Sequence, residues 1–344
     1  MKEALNYNQI TLIPNKCIVS SRSESDTTIN FCGYMFDLPV VPANMASVIN
    51  EKNAKWLAFN KHFYIFHRFS DTRSFISRSN FENWPLVSIS IGVQPIDTEL
   101  IDWLEIAKYR VDFITIDIAH GFADSVAVMI KYIKNKLPNT KVIAGNVWGD
   151  KSSIEFLQNA GADAIKVGLS CGAGCSTFNE TGFGSPMFSA AFEAGVNAKV
   201  PVILDGGIRH NGDIAKAIVA FLSNQFQAVY GNPFKCGNKQ WREPLNVPMI
   251  MAGSIFAACI DAPGDDIIIN GRVWKNYYGS ASAESKKKTG QEVKHVEGKS
   301  IVLEGNGLTY AEKYNQIKDA VQSQISYAGG NDLTALKDVQ WRIV

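Results

Sequence analysis

The chain has 344 residues, 19% of them charged, and a formal net charge of +1 at pH 7. A protein so close to neutral has no basic field to attract nucleic acid or an acidic membrane, so we expect neither as a partner. No apolar run is long enough for a membrane-spanning helix, and the first residues, MKEALNYNQITLIPNK, lack the apolar core of a secretory signal. Six irregularly spaced cysteines favour free thiols in a reducing, cytoplasmic setting.

Eight short apolar runs recur along the chain. They are LPVVPANM (38–45), FYIFHR (63–68), LVSISIGV (86–93), FITIDIAH (113–120), KVIAGNV (141–147), AIKVGL (164–169), PVILDGGI (201–208) and PMIMAGSIF (248–256). Most are continuously rather than alternately apolar, which is typical of strands buried on both faces of a parallel sheet.

The segments between the runs carry the spacing of amphipathic helices. One apolar face is predicted from Phe122, Val126, Met129, Ile130, Ile133 and Leu137, and another from Ile154, Leu157 and Ala160, with Gly161 as the stop. A further helix, IAKAIVAFL, is expected to follow Asp213. Eight strand–helix alternations predict an α/β fold of the (β/α)8 TIM barrel type, with a doubly wound open sheet as the alternative.

We expect one catalytic domain over residues 1–344, interrupted twice. Residues 222–247 lie between the seventh helix and the eighth strand, close in sequence to Asp205, and are predicted to be an insertion rich in Asn, Gly, Pro and aromatic residues. Residues 257–300 follow the eighth strand. Their length, charge and glycines indicate a mobile lid, although a solvated surface loop fits the composition equally well.

The segment GLSCGAGCST, residues 168–177, combines two cysteines with three glycines after the predicted sixth strand. A structural zinc site needs four ligands, whereas Cys171 and Cys175 form a single pair with no second pair nearby. A disulfide between them is disfavoured in a reducing compartment. Two interpretations remain, namely buried inert thiols and a nucleophile in a loop that glycines let fold tightly against a ligand.

Two further loops predict a phosphate site. Asp205 ends the predicted seventh strand, where its carboxylate could accept hydrogen bonds from a ribose diol, while the N–H groups of Gly206 and Gly207 could hold a phosphate. Gly253 and Ser254 follow the eighth strand. Because the loops after strands seven and eight form the usual phosphate site of these barrels, their joint placement favours phosphate binding over two ordinary turns.

Polar residues also end the fourth and fifth predicted strands. Asp117 is predicted to contact a ligand, whereas His120 is more weakly indicated because a lone histidine is more often structural. Asn146 could contact an amide or a ribose, or it could cap the next helix.

Together these motifs resemble the IMP dehydrogenase/GMP reductase family, and its reductases in particular. The resemblance covers nearly the whole chain, through QITLIPNKCIVSSRSESD, LPVVPANM, FHRF, ITIDIAHG, VIAGNV, GADAIKVG, TGFG, ILDGGIRHNGDIAKAI, AGSIF, YGSAS, VEGK and QSQISYAGG. The sequence has no room for the regulatory insert of the family's dehydrogenases and lacks their long flap with an Arg-Tyr pair, and both differences favour a reductase.

The resemblance implies that GMP and NADPH give IMP, ammonia and NADP⁺. Cys175 matches the family nucleophile, whose thiolate attacks C2 of the purine. Ammonia then leaves, and a thioimidate-linked nucleotide remains to receive hydride. Thr177 and Glu297, the latter in VEGK, match a hydroxyl and an acid that pass a proton to the departing ammonia. Since Glu297 lies in the predicted lid, the lid would have to close for catalysis.

The nucleotide sites carry over by the same resemblance. The purine nucleotide would be bound by Met45, Asp205, Gly206, Gly207, Gly253, Ser254, Gly279, Ser280, Ala281 and the lid residues from Lys294 to Gly298. NADPH would be bound by Ser21, Arg22, Arg68, Asp117, Ile118, Ala119, Leu169 and Ser170, and by Ser326, Tyr327, Ala328 and Gly329, a stretch that resembles a contact to a neighbouring subunit. The resemblance also implies a homotetramer.

The cysteine loop departs from the family pattern G-x-G-P-G-x-x-C-x-T, since Ser170 and Cys171 replace Gly and Pro. In the family, carbonyls of this loop can hold a monovalent cation such as K⁺, which here would be those of Ser170, Gly172 and Cys175. Without the proline, the loop geometry and the cation site are left open.

Three hypotheses for the function follow. They are reductive deamination of GMP or a close analogue, IMP dehydrogenation by the same thiol, and purine-nucleotide binding without turnover. Product analysis separates the first two. Thermal stabilisation by nucleotide without turnover would support the third, because a ligand that binds only the folded state stabilises it.

Overall fold

A computed structural model describes residues 4–172, 177–223, 246–279, 282 and 298–344, and for Thr177 it describes the backbone alone. Its centre is a parallel sheet, whose strands are Val40–Pro42, Ser88–Ile91, Phe113–Asp117, Lys141–Val147, Ala164–Val167, Val202–Asp205 and Met249–Ala252. Phe66 adds one parallel bridge to Ile89. Eight chain segments therefore contribute, in the places of the eight predicted strands, and we number them one to eight in chain order.

The order of the strands in the sheet is cyclic. It runs one, eight, seven, six, five, four, three, followed by Phe66 of strand two. The first strand pairs with the last, with Val40 opposite Ile250. An open doubly wound sheet instead begins near its middle strand. The order is that of a (β/α)8 barrel, and the predicted fold is confirmed.

Strand two is shorter than predicted, because only Phe66 forms ladder hydrogen bonds. Its N–H donates to the carbonyl of Ser88 at 3.0 Å, and its own carbonyl accepts from the N–H of Ser90 at 2.9 Å. Residues 63–65 are fully buried. The run is apolar because it lies in the core, and hydrophobicity alone does not separate a buried segment with little pairing from a full strand.

Helices return the chain from the end of one strand to the start of the next. They are Glu51–Phe59, Thr72–Phe81, Pro95–Ala107, Asp124–Lys136, Lys151–Ala160, Met187–Asn197 and Gly212–Leu222. Short helices Thr177–Thr181 and Ser254–Ala257 follow strands six and eight, and Tyr310–Ala328 packs outside the barrel. 3-10 turns span Tyr7–Gln9, Arg22–Glu24 and Leu333–Asp338.

The predicted helices agree with these bounds in their interiors and differ at their ends. The helix Asp124–Lys136 buries its apolar face as predicted, but Phe122 precedes the helix and is 41% exposed. Gly161 ends its helix with φ of 104°, as expected for a glycine stop. Asp213 lies inside the first turn of the seventh helix rather than before it.

The amino end of the barrel, which we call the foot, is covered by the antiparallel hairpin Ile29–Phe31 and Tyr34–Phe36. The fully buried ring of Phe31 packs against Phe63 and Phe113, with centroids 5.2 and 6.1 Å away. Phe113 is the first residue of strand four, and Phe63 is the first residue of the apolar run that contains Phe66, so the hairpin closes the foot with an aromatic plug.

Both stretches predicted to interrupt the barrel lie largely outside the described residues. Helix Gly212–Leu222 ends, and residues 246–248 begin, on the foot side, so both flanks of the predicted insertion lie away from the Asp205 loop. Of the predicted lid, residues 257–279, 282 and 298–300 are described. They include two antiparallel strands, Asp266–Ile269 and Arg272–Tyr278, and the latter also pairs with Ser300–Glu304. The mobility of the lid stays a prediction.

The two ends of the described chain meet outside the barrel, where Ile10–Ile13 pairs antiparallel with Gln340–Ile343. The buried apolar side chains form one large cluster. No helix in the described ranges combines the length and apolar character needed to cross a membrane.

Candidate active site at the barrel mouth

A buried lysine links two carboxylates at the carboxyl ends of the strands, the end we call the mouth. Lys166 of strand six has a side chain only 4% exposed, and its Nζ lies 2.8 Å from Asp117 Oδ1 and 2.8 Å from Asp205 Oδ2. Asp117 and Asp205 are the last residues of strands four and seven. The ammonium therefore joins three strands at the point where a barrel carries its functional residues.

Two amides complete this network. Asn44 Nδ2 donates to Asp117 Oδ2 at 3.0 Å, and Asn146 Nδ2 donates to Asp205 Oδ2 at 2.8 Å and to the carbonyl of Gly168 at 2.7 Å. The next helix is capped by Asp150, so capping by Asn146 is excluded. Asn146 Oδ1 is buried and has no hydrogen-bond partner among the described residues, which suits contact with a ligand.

The network holds opposite charges at neutral pH. Burial lowers the pKa of Lys166, but the carboxylates of Asp117 and Asp205 outweigh burial and raise that pKa above the ordinary value of lysine. Burial raises the pKa of Asp117, whereas Lys166, Arg68 and Asn44 lower it, and the net pKa lies below the usual range of an aspartate. Lys166 and Asp117 therefore form a stable ion pair.

The glycine turn after Asp205 packs directly on the cysteine loop. Gly206 and Gly207 have φ of 108° and 79°, in the left-handed region that favours glycine. A Cβ on Gly206 would lie 2.6 Å from the Cβ of Cys171. The N–H of Gly207 donates to the carbonyl of Cys171 at 3.3 Å. The two loops are thus held side by side.

The loop after strand eight gathers several predicted residues and one that we did not predict. A Cβ on Gly253 would collide with the hydroxyl of Tyr277. That hydroxyl lies 3.9 Å from the sulfur of Met45. Ser254 Oγ donates to the carbonyl of Ile208 at 3.5 Å, which joins this loop to the one after strand seven.

The first half of the cysteine loop is fixed by hydrogen bonds although the family's proline is missing. Ser185 donates its N–H to the carbonyl of Leu169 at 2.8 Å and accepts the N–H of Leu169 at its Oγ, 3.0 Å away. The thiol of Cys171 lies 2.9 Å from the carbonyl of Leu169 and 3.1 Å from that of Ser185. Ser170, with φ of 61°, donates to the carbonyl of Phe183.

The predicted cofactor residues divide into two groups, and the first lies at the mouth. Arg68 Nε is buried with no partner among the described residues, and the guanidinium lies 4.6 Å from the ring centroid of Phe69. A Cβ on Gly92 would collide with that guanidinium. Ile118 extends the pairing of strands four and five through hydrogen bonds with Gly145 and Asn146. Ala119 and His120, which follow it, are exposed.

The second group lies at the other end of helix Tyr310–Ala328. Arg22 Cζ lies 5.4 Å from the ring centroid of Tyr327, and Ser21 caps the turn that carries Arg22. Ser326 Oγ is 3.2 Å from the sulfur of Cys17. Ala328 and Gly329 end the helix, Gly329 with φ of 80°. Tyr310 lies on the mouth side, where its N–H donates a hydrogen bond to the carboxylate of Asp261. Ser326 is roughly 24 Å further along the helix axis.

Several predicted site residues lie outside the described part of the chain. They are Cys175, Ser280, Ala281, Lys294 and Glu297, together with the side chain of Thr177. Gly279 and Gly298 are described, and Gly298 forms a parallel bridge with Ser282. The predicted cation site includes Cys175 and falls outside as well. The described residues contain no group of three or more His, Cys, Asp or Glu side chains that could hold a metal ion.

Our sequence reasoning missed Lys166 and Tyr277. Lys166 is hidden in the apolar run AIKVGL, yet a lysine in the middle of a buried strand is itself a signal, because lysine is almost never fully buried without a partner. Tyr277 belongs to the stretch that we predicted as a lid, where nothing in the sequence indicates which residue faces the barrel.

Fold and side chains together define a (β/α)8 barrel with a network of charged and amide side chains at its mouth. The model of the IMP dehydrogenase / GMP reductase domain matches the chain in two segments, residues 4–224 and 246–343, and the chain belongs to this family. A GMP reductase of Oenococcus oeni is 44% identical over 345 residues, which cover 99% of this chain and 97% of the relative. A GMP reductase of Staphylococcus aureus (strain JH9) is 44% identical over 342 residues, which cover 98% and 96%.

Proposed function

We propose that the protein is a GMP reductase, which converts GMP, NADPH and a proton to IMP, NADP⁺ and ammonia. One observation carries the proposal: the glycine turn after Asp205 packs on Cys171, in the loop that leads to Cys175. A segment suited to ribose and phosphate thus adjoins the segment of the predicted nucleophile at one barrel mouth. The relatives named GMP reductase, similar over nearly the whole chain, support the same assignment.

In this proposal the purine nucleotide lies across the ends of strands seven and eight. Asp205 Oδ2 is occupied by Lys166 and Asn146, and Oδ1 accepts no hydrogen bond from the described residues, so Oδ1 can accept from a ribose hydroxyl. Backbone N–H groups of the two glycine-bearing loops would bind the phosphate. The N–H of Gly207, which we predicted as one of them, instead donates to the carbonyl of Cys171. Met45 would pack on the nucleotide.

Cys175, Thr177 and Glu297 would carry the chemistry. The Cys175 thiolate attacks C2 and forms a C–S bond, and the C2–N bond breaks as the amino group takes a proton from Thr177 and leaves as ammonia. Glu297 returns a proton to Thr177. When bound, NADPH supplies the hydride that adds to C2, after which the C–S bond breaks and IMP leaves. The residues of the predicted lid, 279–281 and 294–298, would cover the purine.

The mouth residues on the side of strands two and four fit a nicotinamide nucleotide. Arg68 has a buried Nε with no partner among the described residues, and Asp117 is held ionised beside it. Ile118 and Ala119 follow strand four, and Leu169 and Ser170 follow strand six, so all four residues lie at the same mouth. A positive group and a carboxylate acceptor side by side can orient an amide and a ribose.

We propose that a neighbouring subunit completes the cofactor site. Ser21, Arg22 and the 326–329 stretch cluster roughly 24 Å down the outer helix from its mouth end. A cofactor bound at one mouth would reach that cluster on another copy of the chain, as the predicted homotetramer implies. The cytoplasmic location and the K⁺ held by carbonyls of Ser170, Gly172 and Cys175 are further parts of this proposal.

The deciding experiment mixes the purified protein with GMP and NADPH, follows the loss of reduced-nicotinamide absorbance, and quantifies ammonia and IMP. We expect equimolar loss of NADPH and gain of both products. Cys175→Ser should lower kcat by about 10³-fold or more while GMP still raises the melting temperature, because the nucleophile is lost and the binding residues remain.

Cys171→Ser is the matched control, since a serine hydroxyl can donate to the same carbonyls and is expected to retain turnover. If Cys171→Ser abolishes the reaction and Cys175→Ser does not, the nucleophile has been assigned to the wrong cysteine. Turnover of IMP with an oxidised nicotinamide in place of the reaction above would identify a dehydrogenase. Stabilisation by GMP without turnover in either direction would indicate a binding protein.

A further inference from the structure

We propose that Lys166 is a positioning residue that keeps the purine site and the nicotinamide site in one fixed geometry by holding Asp205 and Asp117 on the same ammonium. The identity of the two ligands rests on the proposed function. The charge relations among the three side chains do not, and they can be tested without any ligand.

The distances require a cation at this point. Both carboxylates touch the same nitrogen, each at 2.8 Å, so Asp117 Oδ1 and Asp205 Oδ2 are at most about 5.6 Å apart, twice that distance. Two carboxylates so close in a partly buried site cannot both stay ionised without a compensating charge. Loss of the ammonium would protonate one carboxyl group or drive the two apart, and either change disturbs both ligand sites.

The ammonium also decides which carboxylate oxygens remain for a ligand. Lys166 and Asn44 each donate to one oxygen of Asp117, which leaves each of these oxygens one further acceptor site, whereas Lys166 and Asn146 share Oδ2 of Asp205. The orientation of each carboxylate is therefore fixed from two sides. A ribose hydroxyl meets Asp205 at Oδ1, in an orientation that the unsupported side chain would adopt only part of the time.

The barrel makes room for this lysine. Gly145 of strand five lies opposite Lys166 in the ladder, and a Cβ on Gly145 would lie 2.7 Å from the Cβ of Lys166. A side chain at position 145 would thus displace the lysine. The ion pair between Lys134 and Asp163 at the foot offers a contrast, with the same 2.8 Å separation but side chains 31% and 21% exposed.

The test uses Lys166→Met, Lys166→Arg and Lys134→Met, the last as a control that removes the same charge at the other end of the barrel. Dissociation constants for GMP and NADPH are measured separately by calorimetry between pH 5.5 and 8.5. Lys166→Met should weaken both ligands by about tenfold or more at pH 7.5. The weakening of NADPH binding at acid pH should begin about one pH unit or more higher.

The control variants separate charge from packing. Lys166→Arg keeps the charge, so the pH at which NADPH binding begins to weaken on acidification should not change. The broader guanidinium should nevertheless weaken binding at every pH. Lys134→Met should change neither dissociation constant by more than about twofold. The proposal would be overturned if Lys166→Met left both dissociation constants unchanged. It would also be overturned if NADPH binding began to weaken at the same pH as in the wild-type protein.

A double variant tests the mutual repulsion of the carboxylates. Adding Asp117→Asn to Lys166→Met removes the like charge beside Asp205, so GMP binding should recover by about fivefold, while NADPH binding stays weak. If the two substitutions simply add their losses, the repulsion does not exist and Lys166 is only a packing residue.

Unfolding by urea gives a readout that needs no ligand. A carboxyl group with a raised pKa in the folded state costs stability as pH rises through that pKa, so Lys166→Met should lose more stability at pH 8 than at pH 5.5. Equal losses at the two pH values would refute the proposal. If the wild-type protein binds neither GMP nor NADPH, the proposed function fails, and this comparison still decides the role of Lys166.

Discussion

The two ends of the barrel differ in the side chains that cover them, which are aromatic at the foot and charged or polar at the mouth. At the foot, a hairpin inserts the fully buried Phe31 against Phe63 and Phe113. At the mouth, Lys166 and two carboxylates lie among amides and glycine turns, and buried polar atoms such as Asn146 Oδ1 have no partner among the described residues.

We infer from this difference that the foot contributes mainly to stability and that the mouth is where a ligand binds. Apolar burial at the foot contributes free energy of folding without any ligand. Buried charges and unpaired acceptors at the mouth reduce that free energy, and they persist where a ligand can supply the missing partners. Variants at the foot should therefore change stability, and variants at the mouth should change binding or turnover.

Phe31→Ala should have the largest effect on stability. Removing a fully buried ring leaves a cavity at the foot, so the free energy of unfolding should fall by about 3–5 kcal/mol, measured by urea denaturation. Met35→Ala, on the same hairpin at a side chain 57% exposed, should change it by less than about 0.5 kcal/mol. Loss of turnover per folded molecule in Phe31→Ala would contradict the division between foot and mouth.

Acid should destabilise the protein through two buried imidazoles on either side of strand two. Burial lowers the pKa of His62 and of His67 to about 4. A histidine whose pKa is lower in the folded than in the unfolded chain binds fewer protons when the chain is folded. Its contribution to the free energy of unfolding is therefore full above pH 6.5 and is lost as the pH falls from there towards 4. Each group should contribute roughly 3 kcal/mol to that loss.

His62→Phe tests this, because its ring stacks on Tyr314 with centroids 4.2 Å apart and phenylalanine can take that place. The urea midpoint of the variant should fall less between pH 7 and pH 5 than that of the wild type. A pH dependence identical to the wild type would mean that His62 does not titrate in this window.

Gly253→Ala should produce the smallest of these effects and act on binding alone. The added methyl group would displace the hydroxyl of Tyr277, so the dissociation constant for GMP should rise about tenfold with little change in melting temperature. Adding Tyr277→Phe should recover part of the affinity. Gly212→Ala, where a Cβ meets no atom within 4 Å, is the matched control. A similar loss of GMP affinity in Gly212→Ala would contradict the claim that Gly253→Ala acts by displacing Tyr277.

The sequence predicts those features that depend on local pattern. Eight apolar runs mark the strands, and an acid followed by two glycines at the end of strand seven marks a turn that the structure places at the mouth. The glycines at 206 and 207 are needed there because the backbone is left-handed. Such positions can be predicted from the sequence because glycine readily adopts the left-handed conformation that other residues avoid.

Features that depend on three-dimensional pairing are beyond that kind of prediction. Lys166 gains its meaning from Asp117 and Asp205, which are 49 and 39 positions away in the sequence. Tyr277 meets Gly253 only because the antiparallel strands after the barrel fold back over the mouth. The apolar run around Phe66 is predicted as a strand for its hydrophobicity, yet pairing also needs a neighbour in register.

The ladder between Ile10–Ile13 and Gln340–Ile343 has a consequence for biosynthesis. Its partners are separated by more than three hundred residues, so a nascent chain cannot form it until its last strand has left the ribosome. Barrel closure is also late, because the strand that contains Val40 cannot pair until the strand that contains Ile250 has been synthesised. Long-range pairings of this kind slow folding and leave partly made sheet edges exposed. For most of its synthesis the nascent chain therefore carries an incomplete sheet, whose exposed edges favour aggregation until the last strands have paired.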